Sequence, residues 1–317
     1  MINLPALFCC IKTMKKYILA TIFFVLIASN CFCQGAGTTL SNGLEFEELC
    51  DARAGAMGRS VSALDGDISF IHHNPAGIAS IKRPQAMLAY NKIGGLLIDD
   101  MYFANISYGQ PFPFGVLGVS FSYFNAGAID WIGGTTINAQ NDLVITAAYA
   151  VTIMQKFSFG ANFKVLSQTY IEQYKSLSYA FDVGYLVSLP VRGLNLGIAA
   201  KNIGPPMLYY NTPENLPMNI KTGLSYGFLV SQTMKADINA EANYLVNESS
   251  LIPGAGLEFI YDNMIAIRTG CIFEKSAAKL SFGAGFTLQN FIIEYAYEPA
   301  IITTSQADQK IGLKIKF

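Results

Sequence analysis

From about Pro84 to the C-terminus, apolar and polar residues alternate with a period of two, the spacing at which side chains leave the two faces of a β-strand. Between Gly115 and Phe124 the odd positions are Leu117, Val119, Phe121 and Tyr123, and the even ones include Gly118, Ser120 and Ser122. The same split sets Leu143, Ile145 and Tyr149 against Thr146 and Ala148, and Phe157, Phe159 and Phe163 against Ser158, Gly160 and Asn162. It returns in Ile238, Ala240 and Tyr244, which alternate with Asp237, Asn239, Glu241 and Asn243. A soluble sandwich would bury the greasy face in its core and a membrane barrel would turn it to lipid, so alternation alone leaves both open.

Counting such segments predicts about fourteen strands of roughly 8 to 13 residues, the length a tilted membrane strand needs. Their connections alternate in length. Ala126–Asn141, Gln168–Ser176, Asn202–Met218 and Pro299–Asp308 read as long links. Gln110–Phe114, Met154–Lys156, Leu189–Gly193, Ser231–Thr233, Asp262-Asn263 and Asn290 read as turns between them. Outer-membrane barrels are built this way, with loops on one rim and tight turns on the other. In the last segment Ile311, Leu313, Ile315 and Phe317 share one face, opposite Gly312, Lys314 and Lys316. A terminal aromatic on an amphipathic strand resembles the assembly signal of bacterial outer-membrane proteins, and Phe317 is assigned that role. The predicted fold is all-β: a transmembrane antiparallel β-barrel of about fourteen strands over 84–317, with an N-terminal plug-like segment over 34–83.

Composition moves the balance toward lipid. Of 317 residues 52% are hydrophobic and only 14% charged, against roughly 25% charged in an ordinary soluble domain. The net charge of -1 offers no basic field to hold nucleic acid. Beyond Ile27 no apolar run approaches the roughly 18 residues of a membrane helix. Lys15 and Lys16 precede the apolar run Tyr17 to Ala28, which reads as an export signal beginning at Met14. Residues 1–33 are therefore assigned to an upstream extension and signal peptide, with Cys31 and Cys33 as the small residues before cleavage at Gln34. A lipoprotein signal acylated at Cys31 is the competing reading, with Asn30 a poor lipobox residue. Two of the six cysteines then remain clear of this leader, Cys50 and Cys271. Two free buried thiols fit better than a disulfide, because Cys271 falls on an apolar register and Cys50 in the plug.

The inward register carries Lys164, Asp182, Lys201, Lys221, Asp237, Glu241, Glu258, Arg268, Glu294, Lys314 and Lys316. An ion-selective pore would favour one sign, whereas this mixture is expected to pair internally and with plug residues Arg53, Arg59, Asp65 and Asp67. A wet channel lined by the same charges is the alternative. No catalytic, cofactor or metal constellation appears. His72 and His73 are adjacent, which does not converge two rings on one ion, and no Cys/His spacing of a metal site accompanies Asp65 and Asp67. The one G-x-S-x-G match, Gly223 to Gly227, lies inside an alternating strand segment and not on a strand-to-helix elbow, and there is no P-loop. Asn74-Pro75-Ala76-Gly77 reads as a turn in which Pro75 pre-sets the backbone and Gly77 can take a positive φ.

Two blocks carry a family resemblance. One is Phe46 to Gly58, containing Ala52-Arg53-Ala54-Gly55-Ala56-Met57-Gly58, followed by Asp65-Gly66-Asp67 and Asn74-Pro75-Ala76-Gly77. The other is Ile98 to Pro111, a tyrosine- and alanine-containing strand ending in Gln110-Pro111, followed by Gly115 to Ser120. Together they resemble the PorV/PorQ family, outer-membrane barrels related in fold to the FadL fatty-acid transporters and associated with type IX secretion. The resemblance implies a non-enzymatic role. PorV-like members carry cargo from the translocon to a surface attachment complex, and PorQ-like members anchor a partner of that complex. The glycine of Asn74-Pro75-Ala76-Gly77 leans toward the PorV-like or unassigned side.

The expected partners are outer-membrane lipid, secretion-system or attachment-complex proteins and secreted cargo. Trp131 and the run Met207, Leu208, Tyr209 and Tyr210 lie in the long loops and are the candidate partner anchors. They could instead fold over the barrel mouth as a lid or sit at the membrane interface. Arg53 and the aspartates are expected to pair with lumen charges, while Gly58 and Asn74 to Gly77 turn the segment into the periplasmic mouth. The second functional reading is a FadL-like channel for hydrophobic small molecules, with a lateral gap that Gly94-Gly95 would mark.

Overall fold

A computed structural model describes residues 43–49, 51–93, 101–131, 134–209, 212–274, 277–299 and 307–317. Fourteen strands close into one antiparallel barrel. The first half is β1 (Gln85–Lys92), β2 (Tyr102–Phe112), β3 (Gly115–Asn125), β6 (Gln140–Ile153), β7 (Phe157–Tyr170), β8 (Tyr174–Ser188) and β9 (Leu194–Ile203). The second half is β12 (Asn219–Leu229), β13 (Met234–Leu245), β14 (Ser250–Tyr261), β15 (Ile265–Glu274), β16 (Ala277–Leu288), β17 (Phe291–Glu298) and β18 (Asp308–Lys316). Each pairs with its barrel neighbours in chain order, and β1 bonds both β2 and β18. Closure leaves no sheet edge, which is the condition for placing a sheet in hydrocarbon.

Alternation decides what each face meets. In β3 and β6 the outward residues are Leu117, Phe121, Tyr123, Leu143, Ile145 and Tyr149, all exposed. The inward ones, Val116, Ser120, Ser122, Asp142, Val144 and Thr146, are buried. Large apolar side chains stay exposed around the wall, Ile106 at 56% and Ile267 at 62%. A face of this kind is the lipid-facing band of a membrane barrel. Cys271 lies on this outward register as a free, half-buried thiol, while Cys50 lies outside the described residues.

One rim carries the turns. Met154 (φ 52°) with Gln155 (φ 58°), and Asp262 (φ 50°) with Asn263 (φ 53°), are successive left-handed residues, the geometry whose twist matches a two-residue hairpin. The opposite rim carries the loops, within which two extra hairpins fold: β4 (Ala128–Trp131) with β5 (Thr135–Asn138), and β10 (Met207–Tyr209) with β11 (Thr212–Glu214). The expected link Gln168–Ser176 is shorter than the sequence suggests. Strands β7 and β8 run on to Tyr170 and from Tyr174, and Ile171 (φ 50°) and Glu172 (φ 54°) make the turn. The segment is polar enough to read as loop because its strands extend past the apolar band.

The N-terminal segment threads the lumen. At the loop rim the Gly43 amide donates to Asp142 Oδ2 (2.6 Å) and Asn91 Nδ2 donates to the Leu49 carbonyl (3.1 Å). At the turn rim the Phe317 amide donates to the Pro84 carbonyl (2.9 Å), just before β1 begins. The expectation of a segment confined to the periplasmic mouth is therefore corrected: it spans the lumen from rim to rim. Strand glycines make the room. A Cβ on Gly160 would lie 2.3 Å from the Pro75 carbonyl carbon, and one on Gly270 would lie 2.0 Å from the Gly58 amide nitrogen. Met57, Val61, Ile68, Phe70, Ile71 and Ile78 then pack against Phe103, Val116 and Phe124 of the wall.

Candidate functional site

Short capped turns shape the luminal segment. The Asp51 carboxylate accepts the Arg53 amide (3.0 Å) and starts the helical turn Ala52–Ala56. Asp67 accepts the Ser69 amide (3.0 Å) and starts the 3-10 turn Ile68–His72. Asn74 does the same for Pro75–Ile78 through the Ala76 amide (3.1 Å), with Pro75 at the first position, where its missing N–H is harmless. Asn74 Nδ2 also donates to the carbonyls of Ser62 (2.7 Å) and Tyr185 (3.1 Å), tying this turn to β8. Gly58 has φ 58°, a turn conformation that suits glycine. Gly77 is not among the residues with positive φ; its role is close approach, since a Cβ there would lie 2.8 Å from the Leu64 carbonyl oxygen.

Three sets of ion pairs fix the segment to the wall. In the first, Lys164 Nζ sits 2.6 Å from Glu47 Oε2 and 2.8 Å from Asp182 Oδ2, and donates to Asn202 Oδ1 (3.0 Å). Asp182 faces inward by the regular alternation of β8, and a register irregularity sets both Lys201 and Asn202 of β9 opposite it, where it also accepts the Asn202 amide (2.8 Å). Glu48 pairs with Lys201 and with Lys221 (2.6 Å), and Lys221 reaches Glu241 (3.0 Å). Glu241 in turn accepts the amides of Val61 (3.0 Å) and Ser62 (2.9 Å). In the second set, Lys314 meets Asp67 (2.9 Å) and Glu294 (2.8 Å), Arg53 meets Glu258 (2.5 Å), and Arg268 joins Glu258 (2.6 Å) to Glu294 (2.9 Å). Arg53 also lies over the Phe70 ring, 5.6 Å from its centroid. In the third set, Arg59 lies 3.7 Å from Glu298, which pairs with Lys310.

Burial alone would raise the Glu47 and Glu48 carboxyls, but the lysines around them more than offset it, Lys164 for Glu47 and Lys201 with Lys221 for Glu48. Both titrate below the usual carboxylate range. His73 is fully buried, and burial together with the Lys221 ammonium holds it neutral. His72 lies 3.5 Å from Glu47 through Nδ1 and shares a hydrogen bond with Ser120 Oγ (3.2 Å), so both rings belong to the packing of this network. Among the described residues no group of three or more His, Cys, Asp or Glu side chains could hold a metal ion.

The plug residues expected to pair are only partly those that do. Arg53, Arg59 and Asp67 join the network, whereas Asp65 is exposed at a turn. Glu47, Glu48 and Asp51 also pair with wall lysines, beyond the residues expected from the sequence. Their signal was available: three acids within five residues at the start of a segment facing a lumen rich in lysine.

At the loop rim, the proposed anchors separate. Met207 is 2% exposed and packs with Leu44, Val144, Leu166, Ala180 and Leu216, folding the base of the β10–β11 hairpin over the luminal segment. Leu208, the next residue, is 65% exposed. The backbones of Trp131 and Tyr209 end β4 and β10, their side chains are not described, and Tyr210, like Gly94 and Gly95, lies outside the described residues. Phe317 is exposed at the turn rim.

Known structures share this architecture. The toluene transporter TbuX of Ralstonia pickettii is 11% identical with a TM-score of 0.60, covering 84% of this chain and 98% of its own. The monoaromatic hydrocarbon channel CymD is 11% identical at 0.62 over 84% and 97%, and a Pseudomonas aeruginosa FadL homologue is 10% identical at 0.54 over 88% and 99%. At this identity the likeness concerns the fold alone, a FadL-type outer-membrane barrel. Among curated protein sequences none matches this chain. A family profile described as "Type IX secretion system protein PorV" matches residues 38–252, well over half of the sequence. The chain therefore belongs to the PorV family of type IX secretion system proteins, barrels of the bacterial outer membrane.

Proposed function

We propose that this protein serves type IX secretion without catalysing a reaction, as an outer-membrane barrel that carries secreted cargo or anchors surface attachment partners. The observation that carries this reading is the PorV family match, which spans both the luminal segment and the strands through β13. The lumen supports it. Charges that could line a conduit are engaged by Glu47, Glu48, Arg53 and Asp67, so the segment acts as a plug and partners meet the molecule at its loop rim. The exposed Leu208, raised on a hairpin whose base is fixed by Met207, is the candidate anchor there.

Co-purification from mildly solubilised outer membranes tests the proposal. It expects attachment or translocon subunits, or cargo, with the barrel, and loss of cargo anchoring on deletion. Recovery of the barrel alone, under conditions that preserve other membrane complexes, would count against it. The second reading, a channel for hydrophobic small molecules, is favoured by likeness to the toluene and monoaromatic hydrocarbon barrels. It predicts reduced uptake of a labelled apolar compound on deletion, and unchanged uptake would remove it.

A further inference from the structure

The lipid-facing wall has one recess that its register explains. Across β18, β1, β2, β3 and β6 one outward row reads Ile311, Tyr90, Ala104, Tyr123 and Leu143. Ala104 is the small residue in that row, so its methyl group floors a notch with Tyr90 and Tyr123 as walls. One outward position nearer the loop rim, the Tyr102 ring sits between the two walls, its centroid 5.7 Å from that of Tyr90 and 6.0 Å from that of Tyr123. In the next row toward the turn rim Leu88, Ile106 and Phe121 close the other end. The groove, open along its lipid side, has a volume of about 510 Å³, in the range of small-molecule sites.

We propose that this notch is a specific seat for one acyl chain of a membrane lipid. Three observations select that occupant. The groove opens on the wall that meets hydrocarbon, so a lipid tail enters without crossing water. Its lining is carbon-rich, and an empty notch would forfeit dispersion contacts that a flexible chain restores. Tyrosines crowd its loop-rim end, where such rings mark the level of lipid head groups, and the Tyr123 hydroxyl is held by Asn141 Oδ1 at 2.9 Å. The ladders from β1 to β3 continue unbroken beneath the notch, so it is a seat on the wall and not a passage into the lumen.

The test reconstitutes the full chain in phosphatidylethanolamine and phosphatidylglycerol vesicles containing a trace of phosphatidylethanolamine with a photoactivatable acyl chain, and maps the crosslinked peptides. Labelling at Tyr90, Ile106, Phe121 and Tyr123 should exceed that at other outward positions by about three- to tenfold, as for one or two aromatic contacts of ordinary strength. Ala104→Phe fills the notch from the lipid side and should abolish the excess. Tyr123→Leu should reduce it, and Ala284→Phe, at an outward alanine of β16, should leave it intact. Heat-dependent gel mobility confirms that each variant is folded. Uniform labelling around the barrel overturns the proposal, as does an excess that Ala104→Phe leaves unchanged. Crosslinking of the notch to a co-extracted protein, when the same probe is applied to native membranes, would assign the surface to a protein partner and also overturn it.

Discussion

Lys164→Met removes the cation between two buried carboxylates while keeping most of the side chain's volume. Glu47 and Asp182 lie 2.6 Å and 2.8 Å from its ammonium, and all three side chains are fully buried. Without Lys164 the two acids face each other in a site that water does not reach, and breaking such a pair costs about 3 to 5 kcal/mol. Because Glu47 belongs to the luminal segment and Asp182 to the wall, the loss should fall on the attachment between them. The closed ladder of the barrel should persist. Hydrogen exchange read by mass spectrometry separates the two. Amides of residues 47–73 should exchange faster by about two to three and a half powers of ten, at roughly 1.4 kcal/mol per factor of ten, while β13 to β15 stay protected. Replacing the whole triad, Lys164→Met with Glu47→Gln and Asp182→Asn, leaves no unpaired charge and should recover much of the protection. Lys235→Met, at an exposed lysine, is the control. If exchange in the luminal segment rises no more in Lys164→Met than in that control, the idea that these pairs hold the segment is wrong.

Acid should loosen the same segment in two stages. His73 is held neutral and Glu47 and Glu48 are held ionised, so each binds fewer protons in the packed state than in the unfolded chain. Stability is then complete above the unfolded pKa values and falls as pH drops, first below about 6.5 for the histidine and then below about 4.3 for the acids, by up to about 1.4 kcal/mol per pH unit for each group. Exchange protection of residues 47–73 from about pH 8 to about pH 2.5 spans both stages and checks this, and protection that rises toward acid would contradict it. Gly270→Val places a side chain against backbone atoms of Met57 and Gly58, 2.3 Å and 2.0 Å away at its Cβ, which no rotamer relieves. It should cost at least about 1 to 3 kcal/mol and open the segment to trypsin at Arg59 without abolishing heat-dependent mobility. Leu208→Asp should weaken recovery of bound partners and leave stability within about 0.5 kcal/mol, whereas Met207→Asp buries a charge among Leu44, Leu166 and Leu216 and should destabilise the mouth directly. Equal effects of the two on thermal stability would show that the hairpin does not divide into a fixed base and a free face.

What could be read from the chain, and what could not, follows from the range of each interaction. The wall was legible because its rule is local: Leu117, Val119 and Phe121 must leave one face of a strand whatever the barrel encloses, and closure needs only that every strand find two neighbours. The turns were legible both at Asp262-Asn263, whose residues favour a turn, and at Met154–Lys156, where the break in alternation marks it; the left-handed conformations of Met154 and Gln155 were not, because ordinary side chains take them only where the ladder on both sides holds them there. The luminal segment obeys no such local rule. Its helical and 3-10 turns are three to five residues long, too short for any periodicity, and their order comes from partners up to 247 positions away, such as Lys314 on Asp67. The sequence shows that charges of both signs must face inward, but pairing is a matter of depth, and depth depends on strand tilt and on how far the segment reaches. Treating the segment as a cap on one mouth placed Asp65 among the partners and left out Glu47 and Glu48. Once the segment spans the lumen, those two glutamates meet the lysines of β7, β9 and β12, and the glycines on the small inward face of the strands become the surface on which its backbone lies.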